Sequence, residues 1–368
     1  MKKSRIAAII IAAGYSSRMN SFKPLLKFEN STVIERLIHT YVNAGIQDIY
    51  IVVGYKSQTI IEKLNGFDVN IVFNEAYDEG MFTSVKKGIL ALDQCVDAFF
   101  MQPVDIPLIK TKTLLLLENR YLTSDKAVIY PTFAEKRGHP PLIDCNYNSA
   151  ILTSNGEGGL KRILETFSDD SLDVPVFDEA ILMDMDRKED YEKLVAYANL
   201  NAPNKEECLA ILKYYQVPNH IIRHCEVVEG VAHKIYNEIS SNGISLDDNA
   251  LFAAALLHDI ARKEKNHSII GSNIIKEIGY NEVGDIMASH MDIKVRADQP
   301  LTEKEILYLA DKLVKEDLIC KIDERFEQVI KNQGHNLAEI EKIKERWISA
   351  KVIIKKIERI TLKGFMYG

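Results

Sequence analysis

Residues 6–13 read Ile-Ala-Ala-Ile-Ile-Ile-Ala-Ala, an unbroken apolar run rich in β-branched side chains. That pattern predicts a strand buried on both faces of a parallel sheet. Similar short runs recur at Ile49–Val53, Val69–Phe73, Ala98–Met101 and Ala127–Tyr130. Between them, helical spacing of apolar positions covers Val33–Ala44, Gly80–Leu92 and Lys110–Tyr121. The alternation continues to about Leu200 and predicts an α/β fold: a doubly wound, mostly parallel sheet covered by helices on both faces. A polar stretch containing Pro203, Asn199–Lys205, then interrupts the pattern and marks a domain boundary. Beyond it the period is almost only helical: Glu206–Tyr215, His220–Ser240, Leu246–Arg262, Ser268–Ile278, Val283–His290, Thr302–Leu318 and Leu337–Ile360. The expected organisation is one α/β domain over residues 1–200 and one all-α domain over 204–368.

The chain has 368 residues, enough for two domains, with 46% hydrophobic and 27% charged residues. A net charge of −7 argues against a general nucleic-acid binder. The five cysteines are widely spread with no CxxC, which reads as reduced thiols in a cytoplasmic protein. Met1-Lys2-Lys3 before the first apolar run has the outline of a signal peptide, but the run flows directly into a polar loop and reads as a first strand. No run reaches the ~18–20 apolar residues of a membrane span, so no membrane partner is expected.

Three stretches carry chemistry. The first run opens into a loop, Ala12-Ala13-Gly14-Tyr15-Ser16-Ser17-Arg18-Met19-Asn20-Ser21-Phe22-Lys23-Pro24. Small residues at Ala12, Ala13 and Gly14 let backbone amides approach a base or phosphate. Arg18 offers a planar fork for phosphate oxygens and Lys23 a compact charge. Neither a GxxxxGK[ST] loop nor a GxGxxG turn is present. In the second stretch, Asp105 follows a buried strand between Pro103 and Pro107. It reads either as a Mg²⁺ ligand or as a turn or cap residue for the helix from Lys110. The third lies in the helical half, where His258-Asp259 closes a helix, His224 precedes it on another and Asp311 follows. These four suit Mn²⁺, Fe²⁺ or Zn²⁺ held between facing helices, with His267 and His290 available for a second ion.

The first loop closely resembles the LAAGxSxRMGxxKxLL signature of the MobA-like nucleotidyltransferases, with Asn20 in place of the usual glycine. Gln102-Pro103-Val104-Asp105-Ile106-Pro107 resembles that family's metal-binding PxDxP turn, and Gly80-Met81-Phe82-Thr83-Ser84 its GMxxS element near the nucleotide. Arg137-Gly138-His139-Pro140 resembles its RGHP segment on the cofactor side, and Gly156-Glu157-Gly158-Gly159-Leu160 a GDxGLR-type helix start. Met183-Asp184-Met185-Asp186-Arg187-Lys188-Glu189-Asp190-Tyr191 resembles the closing DIDTPEDY, with Arg-Lys replacing Thr-Pro. Read as a strand, the alternation puts Asp184 and Asp186 on one side of the sheet. The resemblance spans residues 5–200. It implies a Rossmann-like nucleotidyltransferase, most similar to molybdenum-cofactor cytidylyltransferases. Arg18, Lys23 and Asp105 would be catalytic. Ala12, Ala13, Gly14, Ser16, Gly80, Ser84 and His139 would bind substrate. Mg²⁺ would sit on Asp105 and Asp186, with Asp184 the alternative. The implied substrates are CTP and the molybdopterin cofactor, and the implied partner is a molybdoenzyme that receives the product.

The His224, His258-Asp259, Asp311 order resembles the HD superfamily of metal-dependent phosphohydrolases over residues 215–318. Leu256-Leu257-His258-Asp259-Ile260-Ala261, His267-Ser268-Ile269-Ile270-Gly271 and Leu309-Ala310-Asp311-Lys312 look like its dinucleoside-polyphosphate subtype, although Ser289-His290-Met291-Asp292 lacks the TG pair of that subtype. The implied activity is hydrolysis of a nucleotide or phosphate ester. The competing expectation is a sugar-phosphate or other NTP transferase whose HD domain senses a nucleotide without chemistry.

Overall fold

Strand β1 (Ile6–Ala12) is buried along its whole length. It is an interior strand of the sheet in the N-terminal half. A computed structural model describes residues 4–15, 19, 21–332 and 336–367. The chain divides into two compact units, Met1–Asn199 and Leu200–Gly368.

In the first unit, β1 leads through a 3₁₀ turn over Lys23–Leu25 and a short hairpin, β2 (Lys27–Phe28) and β3 (Ser31–Thr32), into α1 (Val33–Asn43). There follow β4 (Asp48–Val53), α2 (Ser57–Lys63), β5 (Asn70–Phe73), α3 (Met81–Leu90), β6 (Ala98–Pro103) and α4 (Thr111–Thr123). The unit closes with β7 (Val128–Phe133), β8 (Lys136–Arg137), β9 (Leu142–Asp144), α5 (Asn148–Thr153), α6 (Gly159–Glu165), β10 (Ser171–Pro175) and α7 (Lys188–Ala198). The sheet order is β10-β7-β9-β6-β1-β4-β5, with β8 paired to β7. Pairing is parallel except around β8 and β9; β9 runs antiparallel to both β6 and β7. This is the expected mostly parallel sheet.

Local chemistry fixes the elements around the sheet. A capping box starts α1: the Thr32 amide and hydroxyl both donate to Glu35 Oε2, at 2.8 and 2.7 Å. Helix α3 lies close on β1 because Gly88 has no side chain; a Cβ there would come within 2.4 Å of Ile9 Cγ2. The register pairs Ala12 with Val53 and Ile11 with Pro103. The carboxyl ends of β4, β1 and β6 therefore end side by side, where open α/β sheets bind ligands.

One expectation fails here. Residues 183–186 form no strand; the last strand of the sheet is β10 instead. Met185 is fully buried and its amide donates to the Asp105 carbonyl at 2.9 Å. Asp184 is exposed and Asp186 partly buried.

The second unit contains α8 (Lys205–Tyr214), α9 (Asn219–Ser240), α10 (Asp248–Leu257), α11 (His267–Ile278), α12 (Asn281–Met287) and α13 (Glu303–Lys312). A small hairpin, β11 (Val314–Lys315) and β12 (Leu318–Ile319), precedes α14 (Ile322–Asn332) and α15 (Leu337–Thr361). Helix α10 is apolar nearly all round, and Ala250, Leu251 and Ala253–Leu257 are all buried. Such a helix belongs at the centre of a bundle; it packs on α8, α9, α12 and α13. The helix expected over Thr302–Leu318 stops at Lys312, and Glu316, at φ +60°, turns the chain into the hairpin. The unit is helical as expected, apart from that hairpin.

Candidate active sites

At the end of β1, Ala12, Ala13 and Gly14 face Lys23, Pro24, Ser84 and Asp105 across a pocket of about 150 Å³. Lys23 sits in the 3₁₀ turn that Pro24 stabilises at its start, a position where the missing N–H costs nothing. Its ammonium donates to Asp186 Oδ1 at 2.8 Å and approaches Asp105 Oδ2 at 3.5 Å. Two carboxylates from distant loops thus converge on one cation. Asp105 is not the cap of α4. That role falls to Asp178, 1% exposed, whose carboxylate accepts from the Lys110 amide at 2.8 Å and from Thr113 Oγ1 at 2.6 Å. The convergent carboxylates are hard oxygen donors of the kind Mg²⁺ prefers, so the donor set fits such an ion.

The other expected residues fall around this centre in different ways. A Cβ at Gly14 would meet no described atom within 4 Å, so the loop is open to a ligand there. Ser84 lines the pocket, but its hydroxyl accepts from Asn74 Nδ2 at 2.9 Å and is 2% exposed. Gly80 stands just before α3 at φ +114°, a conformation glycine adopts without strain. His139 is not among the residues that line the pocket. Burial holds its pKa below the ordinary value, against the pull of Asp105, and its Nδ1 is buried without a partner. Its amide donates to the Ile181 carbonyl at 3.0 Å, and a Cβ on Gly138 would come within 2.6 Å of that same oxygen. The Arg137-Gly138-His139 segment therefore packs tightly on the stretch leading to Asp186. Asp184 is exposed, and it is Asp186 that meets Lys23. Ser16 and Arg18 lie outside the described residues.

Sequence reasoning missed the aromatic mouth of this pocket. Tyr77 lines it, and Tyr15 packs on both Tyr77 and Tyr55, with ring centroids 5.4 and 5.0 Å apart. The tyrosines come from three loops and share no period, so only the fold brings them together.

In the second unit, Asp259 stands between two groups of histidines. Its Oδ2 lies 3.5 Å from His258 Nε2 and 3.9 Å from His224 Nε2. Its Oδ1 lies 3.3 Å from His267 Nε2 and 3.6 Å from His290 Nε2. Asp311 Oδ1 joins the first group, 3.3 Å from His224 Nε2 and 3.8 Å from His258 Nε2. Helices α9, α10, α11, α12 and α13 all contribute, directly or at their ends. All six expected residues are therefore brought together, and two clusters can each hold an ion, with Asp259 common to both.

The far ring nitrogens are fixed by backbone carbonyls. Nδ1 of His224, His258 and His290 lies 2.5, 2.8 and 2.7 Å from the carbonyls of Glu316, Ala255 and Met287. Each Nδ1–H donates outward and leaves the Nε2 lone pair facing the centre, as metal-binding histidines require. His258 Nε2 is buried with no hydrogen-bond partner, which a divalent ion would satisfy. Burial pushes the His258 pKa down to about 4. Burial also pulls on His224, but the Asp311 carboxylate outweighs it and holds that imidazole above its ordinary value. Burial would raise Asp259; the surrounding imidazoles instead hold it well below the usual carboxylate range. Lys312 and Arg262 add charge, with Lys312 Nζ 2.7 Å from Asp311 Oδ2 and Arg262 Nη1 3.2 Å from Asp259 Oδ1. The arrangement can hold divalent ions, and it sets them beside cations able to meet phosphate oxygens.

Comparison with known proteins finds a domain family in each unit. The family model for the MobA-like NTP transferase domain matches residues 8–172, and that for the HD domain matches residues 221–315. The molybdenum cofactor cytidylyltransferase of Escherichia coli is 26% identical over 189 residues, covering 51% of this chain and 94% of that protein. A tRNA (cytidine(56)-2'-O)-methyltransferase of Picrophilus torridus is 29% identical over 163 residues, covering 40% of this chain and 45% of that protein. Among solved structures, Rv0371c from Mycobacterium tuberculosis superposes with a TM-score of 0.47 at 20% identity, over 53% of this chain and 100% of that one. No described helix is long and apolar enough to cross a membrane. Residues 8–172 thus match the MobA-like NTP transferase domain and residues 221–315 the HD domain, which makes the chain a transferase enzyme carrying an HD domain.

Proposed function

We propose that the first unit transfers a cytidylyl group from CTP to the terminal phosphate of the molybdenum cofactor. The observation that carries this reading is the convergence of Asp105 and Asp186 on Lys23 at the mouth of β1. The likeness to a molybdenum cofactor cytidylyltransferase supports the choice of nucleotide and acceptor. An oxygen of the acceptor phosphate forms a new bond to the α-phosphorus of CTP. The bond from that phosphorus to the bridging oxygen breaks, and pyrophosphate leaves with the electron pair. Lys23 faces the developing negative charge on the phosphoryl oxygens, where a preorganised cation acts most strongly. The main-chain amides of Ala13 and Gly14, which line the pocket, would hold the nucleotide, and catalysis would be chiefly positioning and electrostatics. Asp105 and Asp186 would hold Mg²⁺, which supplies charge neutralisation across the phosphates.

The second unit is proposed to hydrolyse a nucleotide or phosphate ester. His224, His258, Asp259 and Asp311 would hold one ion, and Asp259, His267 and His290 another. Divalent ions there supply Lewis acidity and an activated water. Arg262 and Lys312 orient the phosphate, and the backbone carbonyls fix the imidazoles.

The test of the first reading is pyrophosphate release by the full-length protein with Mg²⁺, offering CTP, GTP, ATP and UTP, each with and without molybdenum cofactor. Release with CTP only when cofactor is present supports the proposal. Release with sugar phosphates instead of the cofactor overturns the acceptor.

A further inference from the structure

The tail that follows the HD family match builds one side of that domain's pocket. Next to the histidine cluster lies a cavity of about 630 Å³. This is far more than a phosphate needs and lies within the ~300–1,000 Å³ typical of small-molecule sites. Arg325, Phe326 and Val329 of α14 and Ile343 and Arg346 of α15 line it opposite Asp259 and Asp311. Spacing of three and four residues puts each set on one helix face. None of these residues lies within residues 221–315.

This wall is rigidly built. Arg325 Nη1 donates to the Asp311 carbonyl at 2.7 Å and also to that of Val314, tying α14 to the strand that follows the metal-facing aspartate. Arg346 grips Asp292 with two hydrogen bonds of 2.6 and 3.0 Å. Tyr308 donates to the Arg346 carbonyl at 2.9 Å. Phe326 and Trp347 stack with planes 6° apart and centroids at 5.9 Å, locking the two helices together. The lining is thus mixed. Arg223, Arg262, Lys312 and Lys315 line the cavity with Asp259, Asp311 and His224, and α14 and α15 add apolar surface from Phe326, Val329 and Ile343 beside Arg325 and Arg346.

We propose that α14 and α15 are the specificity wall of the HD site and select a nucleotide: its phosphate sits at the histidine-aspartate centre and its base and sugar lie against Phe326, Val329 and Ile343. The assignment rests on the reading of the second unit as a phosphate-binding metal site. A partly apolar body matches the lining that Phe326, Val329 and Ile343 supply, and the cationic side chains match the phosphate.

Trp347 is the single tryptophan of the chain and reports on Phe326 directly. The experiment follows Trp347 emission while Mn²⁺-loaded full-length protein is titrated with AMP, with CMP, GMP and UMP alongside, and separately with inorganic phosphate. It is repeated for Val329→Asp and Val329→Ala, at a position 36% exposed and so tolerant of change. Val329→Asp is expected to raise the nucleotide Kd about tenfold more than the phosphate Kd, with a smaller rise for Val329→Ala. Manganese content should match the wild type in both. Unchanged nucleotide Kd values, or equal losses for nucleotide and phosphate, would overturn the wall. Phosphate release is assayed in parallel. Wall-dependent nucleotide binding without release would sink the hydrolase reading and keep the wall; release that ignores Val329 would do the reverse.

Discussion

The ammonium of Lys23 and the carboxylate of Asp186 lie 2.8 Å apart although 163 residues separate them in sequence. A loop after the first strand and the last connection before α7 thus meet over the carboxyl edge of the sheet. Asp105 comes in from the β6 end at 3.5 Å. The two carboxylates proposed to hold Mg²⁺ are already gathered around a positive charge.

Loss of either partner should stop transfer without unfolding the unit. Lys23→Ala and Asp105→Ala are each expected to lower kcat/KM for pyrophosphate release by about 10²–10³, the usual cost of removing one preorganised electrostatic contact. Circular dichroism should remain that of the wild type. Near-normal release by either variant would refute the assignment.

The two late aspartates should separate cleanly. Asp186→Asn is expected to lose activity as Asp105→Ala does, because it faces Lys23. Asp184→Asn should stay within about twofold of wild type, because that carboxylate is exposed, like surface changes generally. Equal losses from the two would show that the acidic pair acts together.

Asp259 offers one carboxylate oxygen to each histidine group. Asp259→Ala should therefore leave less than one metal ion per chain by elemental analysis. His267→Ala should keep the ion held by His224, His258 and Asp311 and lose the other. Equal metal content in both variants would contradict a bridging role.

Metal content should also depend on pH, with a definite sign. Binding needs neutral imidazoles, so protons compete with the ion. The Asp311 carboxylate holds His224 above the ordinary histidine value, so its protonation begins while pH is still above ~6.5 as pH falls. His258, pushed down to about 4 by burial, is neutral over the same range. Retained metal should be full near pH 8 and fall between about pH 7 and 5. Retention that increases on acidification would exclude this ligand set.

Stability of the helical unit should depend on a buried ion pair away from both centres. Lys356 Nζ donates to Glu305 Oε1 at 2.6 Å, with side chains 5% and 7% exposed. Lys356→Met leaves Glu305 buried and uncompensated, which costs about 3–5 kcal/mol. Lys356→Met combined with Glu305→Gln should recover much of that loss. Thermal or urea unfolding checks both, and a single variant as stable as wild type would show the pair to be dispensable.

Much of this protein was legible in its sequence because its signals are local. The apolar run at Ile6–Ala13 reads as a buried strand, and the helical period beyond Lys205 rests on residues three and four apart, failing only where the hairpin after Lys312 replaces helix. The His258-Asp259 pair and the Ala12–Lys23 loop combine residue types that few other roles need in that order. The strand expected at Asp184 and Asp186 shows the limit. Alternation there is real, but burial of Met185 and its bond to the Asp105 carbonyl hold the segment as an extended loop, and only one of the two aspartates reaches Lys23. The cap on α4 could not be assigned either, because Asp178 lies 68 residues from the Lys110 amide it accepts from. The sequence by itself determined which segments become strand or helix and which side chains carry charge, since backbone preference and side-chain chemistry act over a few residues. Tertiary structure alone decided which of those side chains share a centre, how Asp259 divides its oxygens between two histidine groups, and that a charged tail becomes the apolar wall of a pocket, since contact between distant segments depends on packing and not on neighbours in the chain.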